Sequence, residues 1–118
     1  MQMKSVKILI LTIALGVLTA AAFAAGNGVT APLIIDARTE AEWNEGHLDG
    51  AVLIPYDRIA QGITTHASDK NTEIILYCRT GRRSGVALET LKNDGYSNLK
   101  NLGSMENAAK ELGRPIVK

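Results

Sequence analysis

The segment Glu73–Tyr77 holds the uninterrupted apolar run Ile74-Ile75-Leu76 and stops at Cys78. This is the length and composition of a central strand buried on both faces. From Arg83 the apolar spacing changes to that of a helix: Val86, Ala87, Leu88 and Leu91 can line one face, and Gly95 sits just past its end. A buried strand that feeds a helix is half of a parallel-sheet unit, and the rest of the chain repeats the alternation. Leu33-Ile34-Ile35 is a short apolar run ending at Asp36. Thr39 is placed to cap a short helix with Glu40 and Glu42 in its first turn, and Gly46 ends it. Ala51–Ile54 reads as a second strand stopped by Pro55, and Tyr56 to Gln61 as a short helix with a polar loop behind it. Leu99–Leu102 is a fourth strand, and Ser104–Leu112 is a last helix closed by Gly113 and Pro115. The pattern predicts an α/β fold with a central, mainly parallel sheet flanked by helices.

The first residues follow a different logic. Lys4 and Lys7 precede the apolar stretch Ile8–Leu18, and Ala22-Phe23-Ala24 has the form of a signal-peptidase site. These are the three parts of a secretory signal peptide. The apolar stretch is shorter than the roughly 20 residues of a membrane-spanning helix. The expectation is therefore a leader over 1–24, a flexible lead over 25–32, a single domain over 33–118, export to the periplasm and no stable membrane association after cleavage. Removing residues 1–24 from the 118 leaves 94 and takes away two lysines. The 13 basic residues fall to 11 against 12 acids, net −1. Such a balance gives no support to nucleic-acid binding. No heptad or long apolar stripe calls for a second copy, so a monomer is expected.

Cysteine usage sharpens the reading. An exported small domain often uses paired cysteines as staples. This chain has one, Cys78, which has no partner within the chain. A thiol of this kind is either inert and buried or reactive, and its surroundings decide. Cys78 stands at the C-terminal end of a strand and directly before a helix, where ligand sites collect in open α/β sheets. The segment Cys78-Arg79-Thr80-Gly81-Arg82-Arg83-Ser84-Gly85 has three arginines, two glycines and no acid. Gly81 permits a tight turn with positive φ. A tight loop entering a helix aims several N–H groups at one point and forms an anion-binding nest, to which the helix N-terminus adds its partial charge. Arg79, Arg82 and Arg83 add full charges. A thiol in that field has a lowered pKa, and its thiolate is the nucleophile.

Several motifs now combine. Cys78 to Arg83 has the form C-x-x-G-x-R. Ile35-Asp36-Ala37-Arg38 forms a first-strand motif. Gly46-His47-Leu48-Asp49-Gly50-Ala51 runs on to Ile54-Pro55, and Leu102-Gly103-Ser104-Met105 and Gly113-Arg114-Pro115-Ile116 lie near the end. Together, in this order and at this spacing, they resemble the rhodanese (thiosulfate sulfurtransferase) family, and the size and export signal resemble its single-domain periplasmic form. The resemblance covers nearly all of the chain after the expected leader over 1–24. It implies a three-layer sandwich around a parallel sheet, and a two-step transfer in which Cys78 takes the outer sulfur of thiosulfate as a persulfide and gives it to cyanide or a thiol. It also implies that backbone N–H groups from Arg79 to Ser84 (Arg79, Thr80, Gly81, Arg82, Arg83, Ser84) cradle that sulfur. Asp36 and Arg38 then support the loop and the domain, and no metal or organic cofactor takes part. Two positions depart from the family pattern: Ser104 stands where a second glycine is common, and Ala108 where a Trp is common.

Two other classes share parts of this chemistry. Cysteine phosphatases and arsenate reductases use a C-x-x-x-x-x-R loop, with five residues between Cys and Arg. Here four separate Cys78 from Arg83 and Ser84 follows, which makes a smaller cradle. A persulfide or thiol-redox carrier serving a protein partner would show the same loop, whereas a binding module without catalysis would have no need of the cysteine and its arginines. Elsewhere, His47 lies in a turn between glycines and reads as structural, and His66 lies exposed in a polar loop. Trp43 reads as packing, and Glu40, Glu42 and Glu45 read as a solvated helix face.

Overall fold

The computed structural model describes residues 30–118. The expected leader and residues 25–29 of the lead lie outside the described residues. Pro32–Lys118 forms one compact unit. Its elements in chain order are β1 Leu33–Asp36, α1 Glu40–Glu45, β2 His47–Leu48, β3 Val52–Leu53, α2 Ile59–Gly62, β4 Ile74–Cys78, α3 Arg82–Asn93, β5 Leu99–Ser104, α4 Met105–Leu112 and β6 Ile116–Val117. Single 3₁₀ turns at Tyr56–Arg58 and Ile63–Thr65 flank α2.

Four strands form a parallel sheet in the order β3-β1-β4-β5. β1 and β4 pair in register from Leu33 opposite Ile74 to Asp36 opposite Tyr77. Both central strands are covered on two sides, which is why they read as continuous apolar runs rather than alternating ones. Their pleat still divides the side chains. Ile35, Ile74 and Leu76 pack with Ile59, Ile63, Ala87, Leu91 and Tyr96, the side of α2 and α3. Ile34, Ile75 and Tyr77 pack with Leu48 and Ala108, the side of α4. These are the three layers expected of the family. Ala108, where a Trp is common in the family, is fully buried in this second core.

The structure moves several boundaries. Cys78 is the last residue of β4 rather than the first of the loop. The segment after Pro55 stays helical to Thr65, because α2 and its flanking turns run on into one another. On α3 the buried stripe is Ser84, Ala87 and Leu91, the i, i+3, i+7 set. Val86, expected on that face, is 44% exposed because it lies about 100° around the helix from Ala87. Ser104 ends β5 and caps α4, its hydroxyl accepting from the Asn107 N–H at 3.0 Å. The two-residue strands β2 and β6 pair antiparallel as a separate ribbon, His47 opposite Val117 and Leu48 opposite Ile116.

A buried polar cluster joins β1, β2 and β4. The Asp36 carboxylate accepts from Arg38 Nε and Nη2 and, at 2.8 Å, from the Tyr77 hydroxyl. The Tyr77 oxygen in turn accepts the Leu48 N–H at 3.0 Å, and Arg38 Nη2 donates to the Gly46 carbonyl at 2.6 Å. Each buried charge has its partner, the condition under which such groups persist in a core. Burial, with Asp36 beside it, pushes the Tyr77 phenol well above its ordinary range.

Candidate active site

Cys78 ends β4 on the α3 side of the sheet, and only Arg79, Thr80 and Gly81 separate it from α3. Gly81 is the N-cap of α3 with φ +105°. That left-handed turn brings the chain back so that the Gly81 N–H donates to Cys78 Sγ at 2.9 Å. A Cβ at this position would lie 3.2 Å from the Cα of Gly103 on β5, so the backbone itself fills the space a side chain needs. Ser84, in the first turn of α3, places its hydroxyl 3.3 Å from Sγ.

Cys78 is fully buried, yet its sulfur faces polar groups. Burial alone pushes the thiol up. The Ser84 hydroxyl and the N–H groups of Ser84, Gly81 and Thr80 outweigh it and bring the pKa from 9.0 down to about 7. These donors act as a nest at a helix start. Of the two sources that the sequence offers, the backbone nest and the arginines, the short-range donors have the larger effect.

The three arginines have different positions. Arg83 is half-buried and binds Glu42 through both nitrogens, Nη1 to Oε1 at 2.9 Å and Nη2 to Oε2 at 3.0 Å. It ties α3 to α1 rather than standing free for an anion. Arg79 is 67% exposed and reaches Glu42 only at 3.8 Å. Arg82 is exposed, and among the described residues no acid lies within ion-pair distance of it. Thr80 is exposed on the loop. Asp36 and Arg38 make no hydrogen bond to residues 79–84. They reach toward it only through Tyr77, whose hydroxyl donates to Asp36 and which precedes Cys78 in β4.

Two residues that sequence reasoning leaves out of the site belong to it. Glu42 is not merely part of a solvated helix face. It completes a capping box with Thr39 and holds Arg83, and the T-x-x-E spacing carries the first half of that signal. Asn101 on β5 accepts from the Ser84 hydroxyl at 2.8 Å and donates to the Gly81 carbonyl at 3.0 Å. Its position two residues before Gly103 is the spacing of an Asx turn. His47 lies on β2 rather than in a turn. Its ring stacks on Trp43 with centroids 3.5 Å apart, and its Nδ1 contacts the Trp43 carbonyl at 3.0 Å. Both rings pack as expected. Among the described residues no group of three or more His, Cys, Asp and Glu could hold a metal ion.

A lone thiol in a cup of N–H donors, at the C-terminal edge of a parallel sheet, can hold a negatively charged sulfur or a second sulfur bonded to it. Comparison with known proteins gives the class the same name. The pattern of the rhodanese-like domain matches residues 19–111. The chain is 36% identical over 84 residues to the thiosulfate sulfurtransferase PspE of Escherichia coli, covering 71% of this chain and 77% of that one. It is 34% identical over 85 residues to a sulfurtransferase of Allochromatium vinosum, covering 72% and 78%. A solved structure of a rhodanese with anions from E. coli superposes with a TM-score of 0.68 at 35% identity, covering 75% of this chain and 99% of that one. Other relatives are longer, and the chain spans between 22% and 48% of them. The protein belongs to the rhodanese-like domain family and is a rhodanese-domain sulfurtransferase.

Proposed function

We propose that the protein moves the outer sulfur of thiosulfate to cyanide or a small thiol, in the periplasm, after removal of residues 1–24. The observation that carries this reading is the pair of donors on Cys78 Sγ, the Gly81 N–H and the Ser84 hydroxyl. They stabilise the thiolate before reaction and the terminal sulfur after it. In the first step the Cys78 thiolate attacks the outer sulfur of thiosulfate. The sulfur–sulfur bond of the donor breaks, sulfite leaves with its electron pair, and Cys78 becomes a persulfide anion. In the second step cyanide attacks the outer sulfur, thiocyanate forms, and the Cys78 thiolate returns. Arg79 and Arg82 at the rim attract the dianionic donor.

Phosphate chemistry is disfavoured by the same geometry. Arg83, the one loop arginine near the position a phosphatase needs, already binds a carboxylate in the two-pronged manner it would use on phosphate.

Intact-mass measurement tests the proposal. Thiosulfate should add one sulfur atom to the wild type, cyanide should remove it with release of thiocyanate, and Cys78→Ala should gain nothing. Protein recovered from the periplasm should lack residues 1–24. A wild type that gains no mass from thiosulfate, but does gain it from another persulfide donor, would leave the thiol chemistry and overturn the choice of substrate. Hydrolysis of a chromogenic phosphate ester that depends on Cys78 would overturn both.

A further inference from the structure

The donors around Cys78 are themselves held by a side chain from outside the loop. Asn101 sits on β5, the edge strand beside β4. Its Nδ2 donates to the Gly81 carbonyl at 3.0 Å, and the Gly81 N–H is the donor 2.9 Å from the sulfur. Its Oδ1 accepts from the Ser84 hydroxyl at 2.8 Å, and that hydroxyl is also 3.3 Å from the sulfur. Oδ1 further accepts the Gly103 N–H at 2.9 Å, which fixes the amide and curls the end of β5 against Gly81. One amide thus touches two of the residues that donate to the thiol.

We infer that Asn101 is a positioning residue for the thiol, fixing the Gly81 turn through Nδ2 and keeping the Ser84 hydroxyl within reach of the sulfur through Oδ1.

A hydroxyl has one proton to give. While the sulfur carries its own proton, the Ser84 hydroxyl donates to Asn101, the shorter of its two contacts. Once the sulfur is an anion, a charge-assisted bond outranks the neutral one. The proton then turns from one acceptor to the other by rotation about the Cβ–Oγ bond, since both already lie within hydrogen-bond distance of the hydroxyl. Asn101 therefore gives the hydroxyl a place to rest that costs no buried unsatisfied donor. It also limits the motion that follows ionisation to a single O–H rotation. Without the amide, the Gly81 turn loses one of its two holds, the Gly85 N–H remaining, and the Ser84 hydroxyl loses the contact that keeps it beside the sulfur, so two of the anion's donors weaken.

The test does not depend on which substrate the enzyme uses. The rate of Cys78 alkylation by iodoacetamide is followed by intact mass against pH in wild type, Asn101→Ala, Ser84→Ala and the double variant, alongside thermal melting. Asn101 is exposed, so Asn101→Ala is expected to fold and to melt close to wild type. Its alkylation midpoint should move up from the wild-type value, and alkylation at neutral pH should slow accordingly. Because part of the effect runs through Ser84, the two substitutions should be non-additive, with Asn101→Ala shifting the midpoint less in the Ser84→Ala background. Asn101→Asp keeps the acceptor but loses the donor to Gly81, and should not restore the wild-type midpoint. A midpoint unchanged in Asn101→Ala would overturn the inference, as would a fall in melting temperature with no change in the pH profile. A midpoint that shifts as expected, in proteins that take no sulfur from thiosulfate, would overturn the proposed substrate while supporting the positioning role.

Discussion

Arg83 and Glu42, 41 positions apart in sequence, meet in a two-pronged ion pair with both contacts at 2.9–3.0 Å. The pair joins the first turn of α3, directly behind the thiol loop, to the first turn of α1. Both side chains are about one-fifth exposed, so water screens the pair only in part. Arg83→Ala should therefore lower stability by about 1.5–3 kcal/mol, the range for hydrogen bonds to charged groups. Arg82→Ala should stay within about 0.5 kcal/mol of wild type, as surface substitutions do. Equal denaturant midpoints for the two variants would show that Arg83 anchors nothing.

The same pair shapes acid behaviour. The Arg83 guanidinium beside Glu42, helped by the Thr39 N–H and hydroxyl, holds the carboxyl at about 2 against an ordinary 4.5. A carboxylate depressed by folding contributes stability that is complete above its unfolded pKa and lost as pH falls through the folded one. The window for Glu42 thus runs from about 4.5 down to about 2. Glu42→Gln should be less stable than wild type at neutral pH, and the gap should narrow across that window. A gap that stays constant from pH 5 to pH 2 would contradict the assignment.

With Arg83 occupied, Arg79 and Arg82 are the loop cations left to act on a free anion. Their exposure makes the effect long-range and sensitive to salt. The double variant Arg79→Ala/Arg82→Ala should need roughly tenfold more thiosulfate for half-maximal sulfur loading at low salt. The difference should shrink as ionic strength rises, while the melting temperature stays near wild type. If the thiosulfate dependence of the double variant matches wild type, the rim charges do not steer the donor.

The thiol itself titrates at about 7, below its ordinary 9.0, because hydrogen-bond donors outweigh burial. Alkylation and sulfur loading should both rise through about pH 7 and level off above it. The linkage has the same sign as for Glu42. Stability from the thiolate is complete above the unfolded value of 9.0 and lost as pH falls through about 7. The melting temperature of wild type relative to Cys78→Ala should therefore climb between pH 7 and pH 9. Parallel curves across that range would mean that the cup does not prefer the anion.

Much of this site is legible in the sequence, and the remainder shows what local pattern lacks. The apolar runs at Leu33–Ile35 and Ile74–Leu76 mark the central strands because burial on both faces leaves a continuous signature. Gly81 is legible because only a positive φ turns the chain back onto the sulfur. β2 and β6 are not, since two residues carry no periodicity and their pairing brings together His47 and Val117, 70 positions apart. Arg83 looks like a free cation beside its neighbours because its partner lies on another helix. Asn101 looks like one more strand residue for the same reason: its contacts to Gly81 and Ser84 exist only once β5 lies beside β4. Residues whose role comes from their own loop can be found in the sequence; those whose role comes from a distant element cannot.

Gly81 offers the most direct way to disturb the cup without touching the thiol. An alanine there must adopt φ near +105°, which costs an L-residue about 1–2 kcal/mol. Its Cβ would also stand 3.2 Å from the Gly103 Cα, a backbone atom that does not rotate aside. Both strains relax only if the turn opens, and opening it withdraws the Gly81 N–H from Sγ. Gly81→Ala should therefore lower the melting temperature and move the alkylation midpoint upward together. Gly113, with φ +64° and no atom within 4 Å of the place a methyl group would take, separates the two effects. Gly113→Ala carries the conformational cost alone at the end of α4, so it should lower stability and leave the thiol at about 7. If both variants lose stability but neither shifts the midpoint, the Gly81 N–H contributes nothing to the thiolate.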